Sequence, residues 1–163
     1  MGKIVLTGKG RRWIEGGHPW AFRDDVAEAE AEPGEIAAVL GPGGLHLGFG
    51  AFSSASRIAV RMVSREREEP DRSFWKARVA RAVAARTRMG YVEADGACRL
   101  IAGDADGFPG LVVDRYADVL VIQSGTAAAD RLRDLIVALL DEALPFPLAT
   151  VVDRSDSAVR KLE

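Results

Sequence analysis

Few residues in this chain of 163 amino acids have the types and spacing to do chemistry. Cys98 is the only thiol, and it stands beside Arg99. A catalytic cysteine needs a neighbouring base or an electropositive setting to form its thiolate, and no histidine lies near it in sequence, so Cys98 reads as an inert structural cysteine. Asp104-Ala-Asp106-Gly107 imitates the opening of a calcium loop. That loop also requires a further acidic or amide position, a distal bidentate glutamate and flanking helices, so an Asx-type turn is the better reading. The two histidines, His18 and His46, cannot form a metal site without carboxylate or thiolate help. No catalytic, cofactor-binding or metal-ligating residue is assigned.

The remaining chemistry is cationic and aromatic. Lys9, Arg11 and Arg12 cluster on a glycine-flanked turn, and guanidinium groups suit phosphate oxygens. Arg57 and Arg61 fall on one face of a strand and could extend that surface, or simply face solvent. Within His18-Pro19-Trp20, the two rings could stack on a base or hydrogen-bond a phosphate; otherwise Trp20 and Phe22 belong to the core with His18 as their partner. Arg78, Arg81 and Arg88 form a weaker basic stripe. The overall charge of −2 hides segregation: residues 1–26 carry +2, 27–56 carry −4, 57–88 carry +6 and 89–163 carry −6. Such segregation fits a one-sided surface for a polyanion as well as a solvated basic helix.

The elements that must position these residues fall into two groups. Residues 1–63 read as short strands punctuated by Gly and Pro, the pattern of a small β-barrel or sandwich. Residues 4–6, 35–40 and 58–62 are strand candidates, and Leu45, Leu47 and Phe49 alternate as one apolar face. Arg11 to Glu15 is expected to make one helical turn, stopped by Gly16-Gly17. Residues 64–73 are charged, contain Pro70 and read as a linker. Residues 74–89 follow as a helix with Trp75, Val79, Ala82 and Val83 on its apolar face. Arg86 intrudes on that face, with its stem expected to pack and its guanidinium to reach outward. Residues 99–116 predict a hairpin around a Gly/Asp/Pro turn, 118–123 a central strand, 127–144 an amphipathic helix and 149–153 a further strand. Ser155 or Asp156 could cap another helix. Asp114-Arg115 and Asp153-Arg154 recur at strand ends and could join an internal salt-bridge network or an interface to a further domain; adjacent strand positions face opposite ways, so a structural role is the better reading.

Three stretches carry a resemblance. Arg99 to Tyr116 (RLIAGDADGFPGLVVDRY), Lys9 to Phe22 with its His18-Pro19-Trp20-x-Phe22 ending, and Gly48 to Arg61 resemble the bacterial 23S ribosomal RNA cytosine-C5 methyltransferases. The order Arg154-Ser-Asp-x-x-x-Arg160-x-x-Glu163 resembles the end of that family's central domain. The resemblance implies a mixed β and α+β chain: an N-terminal PUA-like pseudo-β-barrel over 1–68, and a small α/β domain over 71–163 built on the hairpin with two flanking helices. It further implies RNA binding, to 23S ribosomal RNA, through Lys9, Arg11, Arg12, His18, Trp20, Arg57 and Arg61.

The family's glycine-rich S-adenosylmethionine loop and its nucleophilic cysteine belong to a C-terminal methyltransferase domain. Gly41-Pro-Gly-Gly44 opens no helix and residues 103–110 link two strands, so neither supplies that loop. The expectation is therefore the RNA-recognition and spacer portion of such an enzyme, a fragment that binds RNA but is inactive alone, with the cofactor held outside this chain. The alternative is a stand-alone, non-catalytic RNA-binding or protein-interaction module. A single cysteine, the lack of a run of about 20 apolar residues and the absence of a signal-like N-terminus point to the cytoplasm and away from a membrane. Oligomeric state stays open, a homodimer included.

Overall fold

The computed structural model describes residues 1–155. The chain divides into two compact units, one made by Met1–Pro70 with Thr126–Ala128, the other by Asp71–Gly125 with residues 129–155.

The first unit runs β1 (Lys3–Leu6), α1 (Gly8–Glu15), β2 (Trp20–Phe22), a single 3-10 turn (Arg23–Asp25), β3 (Val26–Glu30), β4 (Ile36–Leu40), β5 (His46–Phe52) and β6 (Ile58–Ser64). The strands hydrogen-bond in the order β2-β6-β5-β4-β1-β3. β2 and β3 thus sit at opposite ends of a six-stranded sheet although only Arg23–Asp25 separates them in the chain. Laid flat, those ends would be about 24 Å apart at the usual spacing of neighbouring strands. Four residue steps reach about 14 Å at full extension, so the sheet has to curl. The resemblance implies a PUA-like pseudo-β-barrel here, and the structure has a curled six-stranded sheet in its place.

Ile4, Leu6, Ile14, Ala21, Val39 and Val60 fill its interior. Each large aliphatic chain removed from water there contributes about 1.5–3 kcal/mol. β5 packs on both faces, and its glycines are the reason. A Cβ at Gly48 (φ +129°) would lie 2.0 Å from the Ser64 carbonyl oxygen, and one at Gly50 would lie 2.5 Å from Val60. Leu45 departs from the expected apolar face: it precedes β5 and is exposed. β3 was not foreseen at all, because Val-Ala-Glu-Ala-Glu offers no apolar face; it exists by antiparallel pairing with β1.

The second unit contains α2 (Arg72–Arg88), β7 (Ala97–Ala102), a 3-10 turn (Gly103–Asp106), β8 (Leu111–Tyr116), β9 (Val119–Ser124), α3 (Ala127–Ala143) and β10 (Thr150–Asp153). Its sheet order is β10-β9-β8-β7, antiparallel except for the parallel β9–β10 pair. α3 makes the crossover that a parallel pair requires. α2 starts two residues earlier than the periodicity predicts, because Asp71 caps it by accepting from the Phe74 N–H at 2.8 Å. Gly90, at φ +74°, follows its C-terminus. The expected hairpin is β7–β8, and Phe108 from its turn packs against Trp75, ring centroids 5.8 Å apart.

Arg86 corrects the sequence reading. Its guanidinium does not reach outward but grips Asp106 with two hydrogen bonds, 2.9 and 2.6 Å, while Nε donates to the Arg99 carbonyl. Asp106 also accepts from the Ala102 N–H at 2.7 Å, so its carboxylate is a turn clamp. Asp114 and Asp153 take the structural role expected of them, each in an ion pair within the chain. Asp114 binds Arg99 directly across the hairpin, and Asp153 binds Arg133. Arg115 is fully buried and donates to the carbonyls of Ala117, Glu93 and Ala94, with Phe146 stacked against its guanidinium 4.0 Å from the ring centroid. Cys98 lies opposite Arg115 in the register; burial pushes its thiol up, outweighing the opposing pull of Arg115 and Arg86. Ser155 accepts from the Ser124 N–H at 3.0 Å. The helix cap at Asp156 and the motif positions Arg160 and Glu163 lie outside the described residues.

Candidate nucleic-acid interface

In the first unit, α1 and the turn into β2 enclose an open cavity of about 590 Å³ lined by Lys9, Arg12, Trp13, His18, Pro19 and the Gly16-Gly17 turn. The helix that presents it is set by its ends. Thr7 caps it, accepting from the Gly10 N–H at 3.1 Å, and Gly17, at φ +94°, follows its close at Gly16. At 3.6 residues per turn, Lys9, Arg12, Trp13 and Gly16 share one face while Gly10 and Ile14 turn inward.

The expected cations separate in this geometry. Lys9 Nζ is 3.2 Å from the Asp25 carboxylate, which is only 2 % exposed and also accepts from the Phe22 N–H. Arg11 lies outside the cavity lining and pairs with Glu15 at 3.0 Å. Arg12 is exposed and, among the described residues, makes no side-chain hydrogen bond or ion pair. Of these three expected cations, Lys9 and Arg11 are thus engaged by carboxylates, whereas Arg12, among the described residues, is not.

His18 is fixed by the backbone of Trp20: its Nδ1 lies 2.9 Å from the Trp20 carbonyl oxygen and 3.2 Å from the Trp20 N–H. Its ring meets Trp13, Trp20 and Phe22 at centroid distances of 5.1, 5.9 and 6.1 Å. Trp20 is half-buried, and its side chain shares a sheet face with Arg61, its register partner on β6. Arg61 is half-buried and donates to the Ile58 carbonyl. Arg57 lies in the bend before β6, exposed, its carbonyl accepting from the Arg23 N–H.

Two contributors escaped the sequence reading. Trp13 is 50 % exposed and forms a wall of the cavity. Its signal was the i, i+3, i+4 stripe of Lys9, Arg12 and Trp13, visible once the helix is given its full eight residues. Arg65, just beyond β6, donates to the carbonyls of Ile14 at 2.5 Å and His18 at 3.2 Å, tying down both sides of the glycine turn.

Residues 4–65 match the PUA-like domain. The similarity of the chain extends beyond the PUA-like domain. Over 99 % of its length it is 40 % identical to "Ribosomal RNA large subunit methyltransferase I" of Shewanella amazonensis and 38 % identical to the protein of that name from Shewanella denitrificans. With that of Vibrio campbellii the identity is 39 % over the full chain. In each case the chain spans 41 % of the relative's length. Among solved structures, a candidate SAM-dependent methyltransferase from Streptococcus mutans superposes with a TM-score of 0.79 over 94 % of this chain and 41 % of its own, at 17 % identity. That likeness establishes a shared fold, PUA-like domain and second unit alike.

Proposed function

We propose that this chain is the RNA-recognition and spacer portion of an S-adenosylmethionine-dependent 23S ribosomal RNA methyltransferase of the cytosine-C5 type, in which the PUA-like domain contacts RNA. The observation that carries this reading is the exposed Arg12, unpaired among the described residues, beside the exposed Trp13 on the first helix of that domain. Cation plus open aromatic face is the pairing that RNA sites use, phosphate for position and ring for the base. The names of the relatives add ribosomal RNA of the large subunit as the substrate class.

The second unit serves as the spacer. Its conspicuous chemistry, Arg86 with Asp106 and Arg115 with three carbonyls, is spent on holding its own turns. S-adenosylmethionine belongs, on this reading, to the part of the relatives that this chain does not span. Two of the chain's glycine-bearing turns lie between strands: Pro42–Gly44 joins β4 to β5, and Gly103–Asp106 opens the turn from β7 to β8. Neither opens a helix toward a cofactor. No helix among the described residues is long and apolar enough to cross a membrane, and we place the protein in the cytoplasm with its ribosomal substrate.

The test is fluorescence anisotropy of a labelled 23S ribosomal RNA fragment across a salt series. Affinity should fall as salt rises, with log K linear in log salt, because each phosphate neutralised releases counterions. An affinity independent of salt overturns the reading.

A further inference from the structure

We infer that the outer face of α2, carried by Arg81 and Arg88, is a second RNA contact, one that holds backbone phosphates and reads no bases. The inference rests on the RNA-binding reading above and adds to it a surface in the unit that serves there as spacer. α2 carries six Lys and Arg and no Asp or Glu over its 17 residues. A helix that merely faces solvent gains from opposite charges three or four residues apart, and α2 has no acid to supply them. α3, of the same length, mixes both signs, with Asp130, Asp134, Asp141 and Glu142 beside Arg131 and Arg133. Four of the six cations of α2 are engaged inside the unit. Arg72 and Lys76 both meet Glu142, at 2.5 and 3.0 Å, and Arg86 clamps Asp106. Arg78 donates to the Gly107 carbonyl, its guanidinium 4.3 Å from the centroid of the Phe74 ring. The side chains of Arg81 and Arg88 are exposed and, among the described residues, make no hydrogen bond or ion pair.

Seven residues apart, the two arginines stand on one side of the helix, about 10.5 Å from each other along its axis. That side otherwise carries Ser73, Ala77 and Ala84, all exposed. Such small residues let a sugar–phosphate backbone come close to the helix, within reach of both guanidinium groups, whose planar fork matches phosphate oxygens. The charge around Arg81 is not balanced from within. Its neighbour Arg78 is pushed down to about 10, by burial first and then by the charge of Arg81, while the carboxylate of Asp106 is taken by Arg86. A phosphate on Arg81 supplies the missing negative charge. Arg88 lies in the last turn, where a cation also suits the helix dipole, but Arg81 sits in mid-helix, where that benefit has faded. The two rings of α2 are withdrawn from this face: Trp75 is buried and Phe74 lies half-buried under Arg78. Cations without an open ring position an RNA and leave its sequence unread.

The experiment follows anisotropy of labelled RNA, a 23S ribosomal RNA fragment and an unrelated sequence of equal length, across a salt series. It compares the full chain with Arg81→Gln and Arg88→Gln combined, Arg81→Lys and Arg88→Lys combined, and Arg12→Ala. Glutamine has a helix propensity close to that of arginine, and an unchanged thermal unfolding profile confirms that the fold is intact. Loss of two phosphate contacts should weaken binding of both RNAs alike and make the plot of log K against log salt shallower by about 1.4–1.8. That slope is a readout that a merely structural role of the arginines would not move, and the Lys pair, which keeps both charges, should restore it. If the Gln pair binds with unchanged affinity and slope, the α2 contact is overturned, and a loss in Arg12→Ala alone leaves the RNA-binding reading standing. If the full chain binds neither RNA, both fall. Polyglutamate of matching charge is the control for the competing occupant: binding as tight as that of RNA, and lost in the Gln pair, would give this face to an acidic protein segment and overturn the proposal.

Discussion

Lys9 has two roles in this structure, and separating them is the sharpest test of how the site is built. Its ammonium is 3.2 Å from a carboxylate, Asp25, that is 2 % exposed and otherwise meets the Phe22 N–H at 3.3 Å. Unit charges this close attract by about 5 kcal/mol at an effective dielectric of about 20. Lys9 itself is 63 % exposed, so water and salt replace much of that attraction when the side chain is removed. The residual cost of leaving Asp25 less well paired is about 1–2 kcal/mol. Asp25 also anchors the helix, its carbonyl accepting from the Thr7 N–H and its backbone packing against Gly10. Lys9→Ala should therefore loosen α1 and β2 locally, raising amide hydrogen exchange of peptides covering residues 7–22 by about 5–30-fold. In an Asp25→Asn background, where the Phe22 N–H still has an acceptor, the same Lys9→Ala change should cost less than about 1 kcal/mol. Equal effects of Lys9→Ala in the two backgrounds would refute the coupling. The practical consequence is that loss of RNA binding in Lys9→Ala is not by itself proof of a phosphate contact, whereas loss in Arg12→Ala is.

Two further predictions concern the second unit. Asp106 is pushed up by burial, but its hydrogen bonds from Arg86 and the Ala102 N–H, with the charges of Arg86 and Arg81, bring it below its ordinary value of 3.8. A carboxyl lowered in the folded state contributes fully above its unfolded value and loses that contribution as pH falls through the folded one. Stability should thus drop as acid is added below about pH 4, and Asp106→Asn should flatten that drop in an acid series of unfolding midpoints; an unchanged slope would contradict the clamp. Arg115→Met keeps bulk but abandons three carbonyls, and should cost about 3–5 kcal/mol in urea unfolding; a loss under about 1 kcal/mol would show that the buried guanidinium is dispensable.

What was legible in the sequence follows from where the information sits. α3, the β7–β8 hairpin and the β1, β4 and β6 strands announce themselves through local apolar periodicity and turn residues, and the structure has them. Arg86 was misread because a helical wheel shows only its own helix; Asp106, which draws it inward, is 20 residues away. Arg65 sits in a charged stretch that reads as linker, and its partner carbonyls lie 51 and 47 residues back. No local pattern could carry that signal. The site was half legible. The basic cluster and the His18-Pro19-Trp20 run marked the right helix and turn, but the sequence could not tell that Arg11 would be spent on Glu15 and Lys9 on Asp25. Nor could it tell that Trp13, rather than Trp20, would be the more exposed ring.

β3 closes the account from a different direction. A strand at the end of a sheet offers a row of free amides and carbonyls on which another chain can build. This one carries Glu28 and Glu30 along an exposed run, with Lys3 of the neighbouring strand 3.2 Å from Glu30. A second copy trying to zip its own β3 against this one would set glutamates beside glutamates, and like charges across a pair repel. The very residues that kept the strand hidden from a search for apolar alternation make it a poor template for self-association. Replacing both glutamates by valine would make β3 conspicuous to such a search and, by the same change, a place for sheets to join.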